Sequence, residues 1–161
     1  EMDGMESKDK DDKILLLAAT NEPWSIDPAL RREGRFGTTI FVTPPDLEAR
    51  KMILEMNMKS RPTEELDYEQ LAELTEGLSG ADMKAICEFA TNVPLKESLV
   101  TGEKRKVTME DMELAISQTK SVMKQWFSKA KEQLHKKNLS DLFPELVETA
   151  DSLVEKVAMV V

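Results

Sequence analysis

The spacing of apolar residues changes once along this chain, next to Pro44 and Pro45, and this change limits the folds that are possible. Before it, residues 14–19 form an unbroken apolar run and residues 38–43 are rich in β-branched side chains, which is typical of strands in a parallel sheet. After it, apolar residues recur every three or four positions, as they do in amphipathic helices. We therefore expect part of an α/β domain over residues 1–45, a helical domain over 46–137 and a C-terminal amphipathic helix over 138–161.

Two strands cannot form a stable parallel sheet by themselves. We therefore expect the remaining strands to come from sequence outside this chain or from another chain. The chain also begins at Glu1 and runs directly into a polar stretch. Both features predict that it is a piece of a longer protein.

Capping residues predict where the helices start. Asp46 and Asp67 each precede a helical pattern, and the Ser79/Asp82 and Thr108/Asp111 pairs have the spacing of a capping box. Pro94 is expected to bend or break the helix that begins after Ser79, because proline lacks the N–H that an interior helical position needs.

Composition argues against several classes of function. A net charge of −9 opposes broad contact with a phosphate backbone, so nucleic acid is not an expected partner. The basic cluster at residues 104–106 is expected to be solvated surface. With one cysteine and one histidine, Cys87 and His135, the chain cannot assemble a Cys/His metal site. No long apolar run or signal peptide is evident, so we expect a cytoplasmic protein without membrane insertion.

Three motifs occur in a fixed order: AATN with IDPALRREGRF at residues 18–21 and 26–36, TEGLSGAD at 75–82 and VTMEDM at 107–112. Together they resemble the AAA family of the AAA+ ATPases over roughly residues 1–120. The resemblance implies two parallel strands of a P-loop NTPase sheet followed by an all-α helical lid bundle. It also implies that the complete protein uses ATP and Mg²⁺, assembles with copies of itself as a hexamer, and acts on protein substrates.

The resemblance assigns catalytic roles to three polar residues. Asn21 corresponds to the sensor-1 residue that orients water, and Arg32 and Arg35 to arginine fingers that reach the nucleotide of a neighbouring subunit. Such groups suit ATP hydrolysis, in which positioning of water and stabilisation of phosphoryl charge dominate. The spacing around Gly34 predicts two guanidinium groups projecting from a loop, whereas Arg31 is expected to point toward its own domain. The alternatives are a turn cap for Asn21 and ordinary surface ion pairs for the arginines.

Four further residues are implied to contact the nucleoside. Gly80 and Ala81 resemble the small residues that let a helix start approach adenosine, and Ile53 corresponds to an apolar position against adenine. Asn57 stands where related proteins often carry a histidine near the base. Ordinary core packing is the alternative for these positions.

The sequence contains no Gly-x-x-x-x-Gly-Lys-Ser/Thr loop and no apolar strand that ends in paired acidic residues. We therefore expect that this chain alone neither hydrolyses ATP nor holds a cofactor tightly. The leading interpretation is a fragment of a ring-forming ATPase that couples hydrolysis to remodelling or unfolding of proteins. The alternative is a non-enzymatic helical interaction module that has lost its ATP-binding half, and the retained Arg32 and Arg35 favour the first.

Overall fold

The computed structural model of this chain describes residues 15–32 and 35–158. These residues fall into two compact units. The helical unit is Thr43–Trp126, and the terminal unit combines the described residues up to Val42 with those from Phe127 onward. The α-helices in the described residues are α1 (Leu47–Met58), α2 (Tyr68–Leu74), α3 (Gly80–Thr101), α4 (Met109–Gln118), α5 (Met123–Lys136) and α6 (Pro144–Ala158).

The predicted helix caps of the helical unit are confirmed. The Asp46 carboxylate accepts a hydrogen bond from the Ala49 amide at 2.8 Å, and Asp67 accepts from the first amides of α2. Ser79 with Asp82 and Thr108 with Asp111 each form a complete capping box, in which both side chains bond to backbone amides. These bonds satisfy amides that the first helical turn leaves without partners.

The core of the helical unit lies where α1 packs against α2 and α3, and α3 packs against α4. Removing these apolar side chains from water is the main stabilising contribution. Arg50 is also buried here, and the bond from its Nε to the Ala72 carbonyl at 2.9 Å offsets part of the cost of burying its charge. The principal core residues are Leu54, Met58, Leu71, Met83, Ile86, Cys87, Ala90, Val107, Met112 and Ala115.

A parallel β-bridge between Thr63 and Val107 joins two of the connections between helices. The Val107 amide donates to the Pro62 carbonyl and the Glu64 amide donates to the Val107 carbonyl, both at 2.9 Å. The Val107 side chain is fully buried. The segment after α1 and the segment before α4 are therefore held side by side.

Helix α3 continues through Pro94, so the prediction of a break there is wrong. Proline at this position cannot donate to the Ala90 carbonyl, which costs one helical hydrogen bond. The ring is buried, however. Arg61 Nη1 also donates to the Cys87 carbonyl and to the Thr91 hydroxyl on the preceding turns. Burial of the proline ring therefore offsets the missing bond, and the Arg61 bonds add a link to the preceding turns.

The two predicted strands are not present in the part of the chain that the structure describes. Residues 15–20 and 37–43 adopt no regular structure, and only Ile14 of the predicted strands lies outside the described residues. A β-ladder needs a neighbouring strand, and no described segment pairs with either stretch. Their apolar side chains are mostly exposed: Leu15, Leu16, Leu17, Ile40 and Val42. The described residues are thus mostly helical, in keeping with a helical lid bundle.

The core of the terminal unit is formed by apolar side chains of α5 and α6, together with Trp24 from the N-terminal part of the chain and Phe143 from the segment before α6. The predicted C-terminal amphipathic helix is observed as α6, which buries Leu146 and Ala150. An ion pair between Lys131 of α5 and Asp151 of α6 links the two helices. None of the helices in the described ranges combines the length and hydropathy needed to cross a bilayer. The buried apolar residues of this unit are Trp24, Phe127, Ala130, Leu134, Phe143, Leu146 and Ala150.

Candidate functional site

Residues 20–36 of the terminal unit form a loop, termed here the 20–36 loop, of which residues 33 and 34 lie outside the description. Its first part is a short turn. The Glu22 amide donates to Thr20 Oγ1 at 3.0 Å, and the Ser25 amide donates to the Glu22 carbonyl at 2.9 Å. Asn21, the predicted sensor residue, lies at the start of this turn and is exposed.

The second part of the 20–36 loop is a short 3₁₀ helix, Pro28–Arg31. Asp27 caps it by accepting from the Ala29 amide at 2.8 Å. Proline suits the first helical position, where no N–H is required. The chain then returns on itself, because the Phe36 amide donates to the Leu30 carbonyl at 3.0 Å. Backbone hydrogen bonds therefore define this part of the loop.

The three arginines of the loop lie in different environments. Arg32 is exposed, whereas Arg35 is partly buried and its Nη1 donates to the Ala29 carbonyl at 2.8 Å. Arg31 is partly buried, and its Nε and Nη1 are buried without a hydrogen-bond partner. Arg31 is thus directed inward, as expected. Of the two arginines that the spacing predicts to project, Arg32 is exposed. The Arg35 guanidinium instead lies against its own loop, where it donates to the Ala29 carbonyl.

The helical unit brings together three of the four residues implied to contact nucleoside. A Cβ added to Gly80, the first residue of α3, would lie 3.8 Å from Ile53 Cδ1. Asn57 Nδ2 donates to the Ile53 carbonyl at 2.7 Å, so its side chain folds back on α1. Ala81 is exposed at the start of α3. Ile53 is partly buried against the core, so its position is compatible both with core packing and with a contact to nucleoside.

The start of α3 has a partner that sequence reasoning missed. Asp82 Oδ2 accepts from the Ser79 amide and hydroxyl, both at 2.9 Å, and from the Ser121 hydroxyl at 2.8 Å. Ser121 lies in the connection between α4 and α5, 39 residues away from Asp82. Local patterns reveal the capping box but carry no signal for this distant hydroxyl. The connection before α5 is therefore attached to the helix start that is implied to face the nucleotide.

Arg105 is exposed, as expected for this basic cluster, but its ion pairs were not predicted. Its guanidinium pairs with Asp111 and Glu97 and thereby links the end of α3 to the start of α4. Burial raises the pKa of Asp111, but the hydrogen bonds from Arg105 and Thr108 outweigh burial and hold that pKa below its usual value. Arg105 is therefore held in place by two acidic partners, Glu97 and Asp111.

The site residues therefore form two groups, one in each unit. The loop group is Asn21, Arg32 and Arg35 in the terminal unit. The nucleoside group is Gly80, Ala81, Ile53 and Asn57 in the helical unit. Within each group the members lie on one loop or on two packed helices.

Comparison with known protein families gives two matches. The model described as "ATPase family associated with various cellular activities (AAA)" matches residues 1–44. The model described as "AAA+ lid domain" matches residues 65–114. The first match includes the 20–36 loop and the second includes α2, α3 and the start of α4.

Three curated proteins illustrate the similarity. The cell division cycle protein 48 homolog of Archaeoglobus fulgidus is 46% identical over 99 residues, which are 61% of this chain and 13% of that protein. The meiotic spindle formation protein mei-1 of Caenorhabditis elegans is 45% identical over 91 residues, 56% of this chain and 19% of the relative. The ATP-dependent zinc metalloprotease FtsH of Thermotoga maritima is 41% identical over 117 residues, 72% of this chain and 18% of the relative. The chain thus spans less than a fifth of the length of these relatives.

Proposed function

This chain belongs to the AAA family of the AAA+ ATPases, and we propose that it is the C-terminal part of an ATPase module that couples ATP hydrolysis to remodelling or unfolding of protein substrates. One observation carries the proposal. The backbone-bonded 20–36 loop with its arginines and the capped helical bundle occur in one chain, in the order of the two family matches. The complete protein uses ATP with Mg²⁺ in this proposal.

The environments of Arg32 and Arg35 support a role toward a neighbouring subunit. Arg32 is exposed on a loop that backbone bonds hold in place, so its guanidinium is accessible to a phosphate from outside. Arg35 donates to a neutral carbonyl of Ala29. A phosphate carries a charge of its own and attracts the guanidinium more strongly than a neutral carbonyl does, so a phosphate in reach would compete with that carbonyl for Arg35. Both arginines then stabilise the charge that develops on the transferring phosphoryl group.

Asn21 supplies the second part of the proposed mechanism. Its amide lies exposed at the start of the loop and adds no charge of its own. An amide can donate to and accept from a water molecule. We assign it to holding the attacking water in line with the γ-phosphate, in the subunit that binds the nucleotide.

Gly80, Ala81, Ile53 and Asn57 would approach the adenosine from the helical unit. The small residues at the start of α3 leave room for a ligand, and the amides of a helix N-terminus favour a polar or anionic group. Without a phosphate loop in its sequence, this chain by itself would hold ATP only weakly.

The wider assignment follows from the same proposal. Residues 1–45 are the end of the nucleotide-binding domain, and their two apolar stretches would become strands only in the sheet of the complete protein. Residues 46–137 are the lid, and residues 138–161 add a C-terminal helix. The complete protein would form a hexameric ring with copies of itself in the cytoplasm, with protein substrates and no nucleic acid as partner.

The test uses the complete protein with alanine at Arg32 or Arg35. Each substitution should leave ATP affinity nearly unchanged, because the mutated subunit keeps its own phosphate loop, but should lower turnover on the order of a thousandfold or more. Arg35→Lys is the matched control for charge and should recover little, because lysine lacks the planar fork.

A mixing experiment separates the proposed function from the docking alternative. Arg35→Ala subunits are combined with subunits that lack their phosphate-loop lysine, and co-assembly is verified by size-exclusion chromatography. Partial recovery of turnover is expected, since some interfaces then pair an intact ATP site with an intact arginine. Normal turnover in Arg35→Ala alone, or an inactive co-assembled mixture, would favour the non-enzymatic interaction module.

A further inference from the structure

Two lysines, one in the middle of α5 and one just beyond its C-terminal end, contact the 20–36 loop within the terminal unit. Lys129 Nζ lies 2.7 Å from Glu22 Oε1, and Lys137 Nζ donates to the Trp24 carbonyl at 2.9 Å. Glu22 and Trp24 follow Asn21 almost directly in the chain and precede Arg32. The contacts therefore fall between the predicted sensor residue and the predicted arginine fingers.

The backbone at Lys137 is fixed by the way α5 ends. Asn138 adopts a left-handed conformation with φ of 52°. The Asn138 amide donates to the His135 carbonyl at 3.1 Å, and the Leu139 amide donates to the Leu134 carbonyl at 2.9 Å. This pair of bonds is the Schellman motif that terminates many helices. The start of the Lys137 side chain is thus held relative to α5.

The two lysine contacts differ in strength. Lys129 and Glu22 are both about half exposed, so their ion pair contributes little, although the hydrogen bond from Lys129 lowers the pKa of Glu22. Lys137 instead donates from a charged group to a partly buried backbone carbonyl. Such a bond is stronger than a neutral one. The carbonyl belongs to Trp24, a residue that is only 4% exposed. The loop is therefore anchored by a buried ring and a charged donor at the same residue.

We propose that Lys137 is a positioning residue that holds the 20–36 loop through Trp24, so that the loop presents Asn21 and the arginines in the geometry that hydrolysis needs. The inference rests on the proposed function, because it assigns to the loop the catalytic groups of ATP hydrolysis. It adds that the end of α5, outside the family matches, controls their placement. A displacement of about 1 Å at catalytic groups can cost on the order of a hundredfold in rate.

The kinetic test compares three variants of the complete protein. Lys137→Met keeps the side-chain length but cannot donate, Lys137→Arg keeps a charged donor, and Lys136→Met removes an exposed lysine one position earlier as the matched control. Lys137→Met is expected to lower kcat by about ten- to a hundredfold with KM for ATP within about twofold. Lys137→Arg should restore most of kcat, and Lys136→Met should change neither value.

Amide exchange on the same proteins gives a readout that does not depend on turnover. The Ser25 and Ile26 amides are bonded within the turn that contains Trp24. They should exchange faster in Lys137→Met than in Lys136→Met, while α1 to α4 are unchanged. Equal exchange in both variants would show that Lys137 does not anchor the loop.

Arg35→Ala is assayed in parallel so that the two proposals can fail separately. Normal kcat in Lys137→Met together with loss of turnover in Arg35→Ala overturns the positioning role and leaves the proposed function standing. Loss of turnover in Lys137→Met together with normal kcat in Arg35→Ala overturns the arginine assignment and supports a positioning role that acts through Asn21. Normal kcat in both variants overturns both proposals.

Discussion

Replacing Asp111 by asparagine tests how much the ion pair between Asp111 and Arg105 stabilises the helical unit. Asp111 is 5% exposed, accepts from both terminal nitrogens of Arg105, and accepts from the Thr108 amide at 3.0 Å. Asparagine keeps the shape but loses the charge, and its NH₂ cannot accept from the guanidinium. One hydrogen bond to Arg105 is therefore lost, and the other becomes a bond to a neutral group.

The expected loss of unfolding free energy is about 2 kcal/mol. Hydrogen bonds to charged groups contribute about 1.5–3 kcal/mol, and breaking a fully buried ion pair costs about 3–5 kcal/mol. Arg105 is 37% exposed and can be rehydrated after the change, which places the cost below the fully buried range. For a chain of this length about 2 kcal/mol lowers Tm by about 4–8 °C.

The assay is urea unfolding of this chain at pH 7, with Glu113→Gln as the matched control. Glu113 is an exposed carboxylate on the same helix. The Asp111→Asn midpoint should shift while the m-value stays constant, because the surface exposed on unfolding is unchanged. A difference from Glu113→Gln smaller than about 0.5 kcal/mol would refute the argument, since surface substitutions reach that size by themselves.

The pH dependence of this effect has a definite sign. The pKa of Asp111 in the folded chain lies below its ordinary value of 3.8, because Arg105 and Thr108 stabilise the carboxylate more than burial destabilises it. The stabilisation is therefore fully present above that ordinary value and is lost as the pH falls through the folded value. The difference between Asp111→Asn and the unaltered chain should persist at pH 5 and shrink only below about pH 4.

Two other residues of the helical unit give further tests. Burial raises the pKa of the Cys87 thiol to about 11, so roughly one thiol in a thousand is ionised at pH 8. Labelling by a thiol reagent at pH 8 should therefore be slow until urea unfolds the chain, and rapid labelling of the folded chain would contradict this burial. Gly80→Ala should keep the unfolding free energy within about 0.5 kcal/mol, because its Cβ would meet Ile53 Cδ1 at 3.8 Å. Gly80→Val should raise KM for ATP in the complete protein, and an unchanged KM would leave packing as the glycine's role.

The parts of the fold that depend on neighbours in sequence were predictable. Asp46, Asp67 and the two capping boxes lie within three residues of the amides they bond, so their spacing alone indicates the helix starts. Pro94 shows the limit of this reasoning. Its local effect opposes a helix, but its burial, which depends on distant residues, decides the outcome.

The parts that depend on distant residues were not predictable. Ser121 bonds to Asp82 across 39 residues, and no periodicity connects them. Arg105 is a surface cation, as the sequence indicates, but its pairing with Glu97 and Asp111 depends on the turn between α3 and α4 and could not be predicted. The apolar stretches at 15–19 and 38–43 have the composition of strands, but pairing needs neighbours that are not among the described residues. The proposed roles of Asn21, Arg32 and Arg35 stay predictions.

The bridge between Thr63 and Val107 affects where the helical unit can change in length. Connections between helices usually tolerate insertions, because they lie at the surface and few backbone bonds depend on them. Here the two connections share backbone hydrogen bonds, and one of them contains a fully buried valine. An added residue beside Thr63 or Val107 would shift both segments at once. Gly102 lies at the other end of the connection that contains Val107, in an exposed turn outside the bridge bonds, so an added residue should be tolerated better there than at the bridge.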